Sequence, residues 1–141
     1  MENLNLEILY QDEYFVAVNK PAGMLVHRTN IAFEENLLIA ERLLKEQIGL
    51  KVFPLHRIDR PTSGVLVFGL SSEAASLVQP LFPTDDVKKY YLTVVRGYMT
   101  ENHGIIEHPL KKKLIGDLQE AKSEYWTLSQ NEIPFASTSR Y

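Results

Sequence analysis

The chain has 141 residues, of which 45% are hydrophobic and 23% charged, a composition that is typical of a globular protein and excludes an intrinsically disordered one. Its 18 acidic residues outnumber its 15 basic ones, so nucleic-acid binding would depend on local basic patches such as residues 88–89 and 111–113. The absence of cysteine excludes a disulfide framework and a cysteine-based zinc site. The sequence contains neither an apolar run of the ~20 residues needed for a membrane helix nor a signal-peptide pattern at its start, so we expect a cytoplasmic location.

The first part of the chain predicts two strands, a turn and a further extended run. Residues 6–9 and 14–18 are rich in β-branched and aromatic side chains, and the polar residues 11–13 form a turn between them. Residues 19–23 predict a second turn, because proline fixes φ and glycine ends the turn. Residues 24–27 then resume an extended run, which gives the pattern of a meander.

The hydrophobic period changes to that of a helix between residues 36 and 48. Gly49 is a suitable C-terminal cap for this helix. The apolar residues that form its single stripe are Leu37, Ala40, Leu44 and Ile48.

A turn at residues 61–64 precedes the apolar run 65–68, which predicts a buried strand. Ser71 or Ser72 can cap a second helix, and Pro80 should bend or end it. Further strands are predicted at four places: residues 90–96, 105–106, 124–128 and 138–141. Strands dominate over helices without regular alternation, so the fold class is α+β.

The segment from residue 56 to residue 64 has the composition of a functional loop. Asp59 lies between Arg57 and Arg60, and nearby positive charge favours the ionised form of a carboxyl group. An ionised carboxylate can act as a nucleophile or as a general base. By residue chemistry alone, an ordinary surface turn with two weak ion pairs is the simpler interpretation.

The same segment matches the His-Arg-x-Asp-x-x-Thr-Ser-Gly signature of the RluA-type RNA pseudouridine synthases, with Ile58 where leucine is more usual. Residues 12–27 resemble the first segment of that family, and residues 89–97 resemble its Lys-x-Tyr segment, with Thr93 where alanine is commoner. Three matching segments in the family's order are far more specific than one. The sequence is therefore similar to this family over nearly its whole length.

The resemblance implies an α+β catalytic domain with a mixed, mostly antiparallel sheet and a few flanking helices. Asp59 corresponds to the catalytic aspartate, which attacks the uridine so that the glycosidic bond breaks and the uracil rejoins its sugar through carbon. Arg57 corresponds to the arginine that enters the RNA where the target base leaves the stack. Tyr91 corresponds to the aromatic residue that packs on the flipped uracil. His56 and Arg60 are assigned to RNA binding because they adjoin these residues.

The resemblance further implies that no metal or cofactor is needed, because the bond broken and the bond made belong to one substrate. The details at residues 26–28, Pro61, 95–98 and 138–141 favour a tRNA substrate. The family carries a later basic segment with an arginine that pairs with the catalytic aspartate. We therefore expect a single domain over residues 1–141 without an S4-type domain, lacking its C-terminal part, inactive by itself and able to pair an open sheet edge with a second copy.

Two other function classes remain open. A nucleoside or sugar hydrolase would also use a carboxylate, but it normally needs a second one, for which residues 34–35 and 85–86 are available. A non-catalytic RNA-binding module is the other alternative. Neither the modified uridine nor the atom attacked, C6 of the base or C1′ of the ribose, follows from the sequence.

Overall fold

The computed structural model describes residues 5–28, 38–111 and 117–132, and the chain divides into two units, Met1–Tyr90 and Tyr91–Tyr141. Mixed helices and antiparallel strands confirm the predicted α+β class. The predicted strand at residues 138–141 and the lysines at positions 112 and 113 lie outside the described residues.

The first unit is built on a four-stranded antiparallel sheet. Its strands are β1 (Glu7–Gln11), β2 (Phe15–Lys20), β3 (Phe53–Pro54) and β4 (Gly64–Gly69), in the order β1-β2-β4-β3. These strands confirm the predictions at residues 6–9, 14–18 and 65–68. Asp12 closes the β1–β2 hairpin, because its Oδ1 accepts the N–H groups of Tyr14 and Phe15 over 2.8 and 2.7 Å.

Helix α1 (Ala40–Ile48) covers one face of this sheet. It begins later than predicted, and residues 36 and 37 lie outside the described range. Gly49 adopts the left-handed conformation at φ 70° and caps the helix by donating its N–H to Lys45 O, as predicted. The buried apolar side chains that form the core are Leu6, Val16, Val18, Met24, Val26, Ala40, Leu44, Val52, Leu66 and Phe68.

Two expectations for this unit were wrong. Residues 24–27 do not form a strand; Leu25 makes only an isolated parallel bridge to Ile39, because its backbone pairs with the start of α1 instead of the sheet. Strand β4 is buried on one face only, so Val65 is 57% exposed while Leu66 and Phe68 are fully buried. A central strand needs two covered faces to bury every side chain, and the outer face here is open at Val65.

Helix α2 (Ser72–Val78) follows β4 after a short link. Ser71 is its N-cap and accepts the Ala74 N–H over 3.0 Å, which confirms the predicted capping. Pro80 lies in a 3₁₀ turn (Gln79–Leu81) that follows the helix, also as predicted. Gly69 allows the close approach of α2 to β4, since a Cβ there would lie 3.1 Å from Ala75.

In the described part of the second unit, the strands form two antiparallel pairs. Strand β5 (His103–Glu107) pairs with β8 (Lys122–Trp126), and β6 (Leu110–Lys111) pairs with β7 (Leu118–Gln119). The strand predicted at residues 105–106 lies within β5, and the one predicted at residues 124–128 overlaps β8 at residues 124–126. The predicted strand at residues 90–96 is absent from the structure, and its apolar side chains are exposed. High strand propensity alone does not form a strand, because backbone pairing needs a partner, and the described part of the chain supplies none to this run.

Candidate functional site

The sheet register brings two of the three motif segments together. Lys20, at the end of β2, pairs with Gly64, at the start of β4. Because the strands are antiparallel, the turn that leaves β2 and the loop that enters β4 lie at the same end of the sheet. The turn at residues 20–24 therefore meets the loop at residues 56–63, although the two are far apart in sequence.

Hydrogen bonds fix this contact, which we call the motif junction: the contacts of Lys20 and Gly23 with Arg60. The Gly23 N–H donates to Arg60 O over 2.7 Å, and Arg60 Nε donates to Gly23 O over 3.0 Å. Gly23 has a φ of 87°, which side chains rarely adopt. Within the loop, the Thr62 N–H donates to Asp59 O over 3.0 Å. The backbone at Asp59 and at Arg60 is thus tied to neighbouring structure.

The lysine of the motif junction is buried. Lys20 has no exposed surface, and its Nζ donates to Met24 O at 2.8 Å, Pro21 O at 3.0 Å and Arg60 O at 3.4 Å. Burial lowers the pKa of Lys20, and the nearby carboxylate of Asp59 acts in the opposite direction. This ammonium therefore holds the turn and the loop together through their carbonyl oxygens while facing the charge of Asp59.

Sequence reasoning treated Lys20 only as a turn residue. The signal that reveals its burial is the alternation along β2, where Val16, Val18 and Lys20 face the same side. Val16 and Val18 are fully buried, and Lys20 follows them into the core. A lysine in phase with two core valines was thus visible in the sequence.

The loop presents alternate side chains to solvent and to the core. Arg57 and Asp59 are exposed, whereas Ile58 between them is half-buried and packs against the hydrophobic core. Ile58 therefore anchors the loop from below. As a result, the two side chains assigned to RNA insertion and nucleophilic attack emerge from one fixed segment.

His56 marks the point where the chain leaves the sheet. Its Nε2 accepts the Val67 N–H over 3.1 Å, and its ring stacks on Phe82 with centroids 4.6 Å apart and an interplanar angle of 15°. Burial, together with the positive charge of Lys89, lowers the pKa of His56. Because Nε2 accepts a hydrogen bond, this nitrogen carries no proton in this arrangement. Sequence reasoning did not identify Phe82 as its partner.

The remaining predicted residues lie in less enclosed places. Tyr91 begins the second unit and its side chain is 63% exposed. Lys89 donates from Nζ to Phe82 O over 2.7 Å, so one lysine of the predicted basic patch also supports local structure. Asp86, considered as a second carboxylate for a hydrolase, accepts a hydrogen bond from Thr84 Oγ1 over 3.1 Å in an exposed turn.

Within the described ranges, no group of three histidine, aspartate or glutamate side chains is placed to hold a metal ion. Across the same ranges, no helix is both long enough and apolar enough to cross a membrane.

Comparison of the chain with known proteins identifies its family. The chain belongs to the RNA pseudouridylate synthase family, whose model matches residues 14–139.

Its curated relatives include proteins named tRNA pseudouridine synthase C. The one from Vibrio parahaemolyticus is 48% identical over all of this chain and 62% of its own length. The one from Vibrio vulnificus is 50% identical over 96% of this chain and 58% of its own length, and that from Pasteurella multocida is 47% identical over 98% and 62%. The chain thus spans less than two thirds of the length of these relatives.

Solved structures support the fold. Human RNA pseudouridylate synthase domain containing 1 superposes with a TM-score of 0.67 at 21% identity, covering 88% of this chain and 52% of that one. Human RNA pseudouridylate synthase domain containing 4 gives a TM-score of 0.63 at 24% identity, covering 89% and 54%. At these identities the likeness describes the fold alone.

Proposed function

We propose that the protein containing this chain isomerises a uridine of tRNA to pseudouridine, with Asp59 as the nucleophile. The family supplies the reaction class, and the relatives named tRNA pseudouridine synthase C supply the substrate class. The observation that carries the proposal is the motif junction. It holds the backbone around Asp59 on a defined loop while the carboxylate itself stays exposed to an incoming nucleotide.

In the proposed chemistry, every bond broken or made belongs to Asp59 or to the substrate. The Asp59 carboxylate attacks the uridine, the glycosidic C–N bond breaks, and the freed uracil turns before it is rejoined to the sugar through carbon. The bond between Asp59 and the substrate breaks as the new carbon–carbon bond forms. The proton on that carbon leaves and the ring nitrogen released from the sugar gains one, so the product is an isomer of the substrate. Because the nucleophile is regenerated, no external reactant is consumed.

A target base must leave the stack before Asp59 can reach it, and extrusion costs a few kcal/mol of stacking and pairing. Arg57 is two residues from Asp59 on the same loop and is exposed, so it can enter the space that the base vacates. Tyr91 is proposed to pack on the extruded uracil, where stacking contributes roughly 1–3 kcal/mol per base. An RNA contact by Arg60 stays a prediction. The side chains of Arg60 and His56 both bind other parts of the protein, and the role of His56 is argued below.

The test is to incubate the longest form of the protein that the gene encodes with unmodified tRNA and to map pseudouridine chemically. Conversion at one uridine that disappears in Asp59→Asn is the expected result, because this variant removes the charge and keeps the shape. Wild-type conversion by Asp59→Asn would contradict the assignment of the nucleophile. Release of free uracil would support a hydrolase, and tight tRNA binding without conversion would support a non-catalytic RNA-binding module.

Self-association is a separate part of the proposal. Strand β1 is an edge of the four-stranded sheet as described and exposes Ile8, Leu9 and Tyr10. An edge with free backbone groups can pair with another chain. The register shift between Ile8 and Tyr10 interrupts that edge, so the proposed pairing is weak and depends on protein concentration.

A further inference from the structure

The hydrogen-bond ladder between β3 and β4 ends at a histidine side chain that stands in for a backbone acceptor. The Leu55 N–H donates to Val67 O over 3.0 Å, which continues the ladder beyond Pro54. An antiparallel hydrogen-bonded pair would also send the Val67 N–H back to a strand carbonyl. Here the Val67 N–H donates instead to Nε2 of His56 over 3.1 Å. The imidazole occupies the position of a backbone acceptor, and the chain is free to turn away from β4.

The ring of His56 is fixed in two directions. The bond from Val67 fixes its edge, and the stacked ring of Phe82, at 4.6 Å and 15°, fixes its face. Phe82 is in turn tied to Lys89 through its carbonyl oxygen. A side chain held both at its edge and on its face has little freedom to reorient toward a ligand.

The other end of the loop is fixed by the motif junction, where Arg60 is bonded to Gly23 and Lys20. Arg57 and Asp59 lie between these two fixed points. The path of the backbone through both residues is therefore set by His56 on one side and by Arg60 on the other. A displacement of about 1 Å in a reacting group can lower a rate by roughly 100-fold.

From this geometry we infer that His56 is a positioning residue, which aims Arg57 and Asp59 by replacing a strand carbonyl at the end of β3, and is not a contact for RNA. The expected effect of His56 on activity rests on the proposed function. The hydrogen bond that His56 accepts is seen in the structure and does not depend on that proposal. The role requires an unprotonated acceptor at Nε2, and glutamine can supply an amide oxygen at nearly the same distance from the backbone.

The first experiment is independent of catalysis. Nitrogen NMR of the imidazole should show a protonated Nδ1 and an unprotonated Nε2. The Val67 amide should exchange slowly with solvent in the wild type and in His56→Gln, and at least about tenfold faster in His56→Leu, which keeps bulk without an acceptor. A protonated Nε2 at neutral pH, or equal Val67 exchange in all three proteins, would overturn the inference even if pseudouridine forms.

The second experiment measures tRNA conversion by the longest gene-encoded form. His56→Gln should keep kcat within a few-fold, whereas His56→Leu should lose about tenfold or more with little change in KM. His108→Gln and His108→Leu, at an exposed histidine, are the matched controls and should behave as the wild type does. A rise in KM of equal size in His56→Gln and His56→Leu would indicate direct RNA contact and overturn the inference. If the wild type converts no tRNA, the proposed function fails, while the NMR experiment still decides the role of His56.

Discussion

Among the described residues, Lys20 is a charged residue with no exposed surface. Its hydrogen bonds and neighbouring charge explain why the fold tolerates this burial. Burying a charge is costly unless it is compensated by hydrogen bonds or opposite charge. Three carbonyl oxygens accept from Nζ, and the Asp59 carboxylate favours the charged form. The compensating groups come from both motif segments, so the charge stabilises their contact and not either segment alone.

Replacing Lys20 by methionine should therefore destabilise the protein. The change keeps an unbranched apolar chain but leaves buried carbonyls such as Met24 O without their donor, at a cost of about 1–3 kcal/mol for an unsatisfied buried group. Lys45→Met on the exposed face of α1 is the matched control and should stay near wild type. Urea unfolding monitored by circular dichroism gives both values. Equal stability of the two variants would show that the burial of Lys20 matters little.

Arg57 belongs to the opposite class of residue, because it is exposed and its proposed partner is RNA. Arg57→Ala should leave the unfolding midpoint unchanged and reduce tRNA conversion by at least about tenfold, since the extruded base loses the side chain that fills its place. A short substrate that presents the uridine in a single strand should recover much of the lost rate. Equal losses on the folded tRNA and on the single-stranded substrate would argue against a role in base extrusion.

At the level of elements, the end of β3 depends on a titratable group. The pKa of His56 is lowered below its ordinary value of 6.5, so the unfolded chain binds this proton before the folded one does. The contribution of this group to the free energy of unfolding is fully present above pH 6.5. It falls as the pH decreases toward the lowered pKa of the folded state. Thermal unfolding should show a decreasing midpoint across that window. His56→Gln should flatten this part of the curve, and an unchanged slope would assign the dependence to other groups.

The packing of α2 on β4 is equally local. A Cβ added at Gly69 would lie 3.1 Å from Ala75, which is closer than side chains normally pack. Gly69→Val should therefore force the helix outward and cost about 1–3 kcal/mol through overpacking. Val65→Ala on the open face of the same strand is the control, and it should change stability by much less because Val65 is 57% exposed. Chemical denaturation compares the two variants directly.

The elements differ in how far the sequence could predict them. Strand-forming composition, turn residues and capping residues were sufficient for β1, β2, β4, α2 and the Gly49 cap, because those signals are local. The run at residues 90–96 misled because its β-branched and aromatic side chains report propensity, whereas a strand also needs a partner. For the candidate site, the motif match proposed Asp59 and its neighbours, and this assignment stays a prediction. The motif match could not reveal that His56 accepts a backbone N–H, since that bond depends on a distant segment. The burial of Lys20 was visible instead in the alternation along β2.

At the scale of the molecule, the chain covers only 62% of the length of its Vibrio parahaemolyticus relative. The apolar side chains in the run at residues 90–96 are exposed among the residues that the structure describes, and exposed apolar patches of this kind often mark interaction surfaces. We therefore expect the 141-residue chain alone to convert no tRNA and to show weak, concentration-dependent association by light scattering. Single-site conversion by this chain would show that the further residues of its relatives are dispensable for the reaction.

The burial of Lys20 also has a consequence for chemical reactivity. Acetylating reagents modify lysines whose amines reach solvent, and exposed lysines such as Lys45 and Lys51 should react rapidly. Lys20 can react only when the motif junction opens, because its Nζ is enclosed by carbonyl oxygens in the closed state. The acetylation rate of the peptide that contains Lys20, followed by mass spectrometry, thus measures how often the loop around Asp59 opens. Bound tRNA that holds the loop closed would slow that modification without shielding Lys45 of α1.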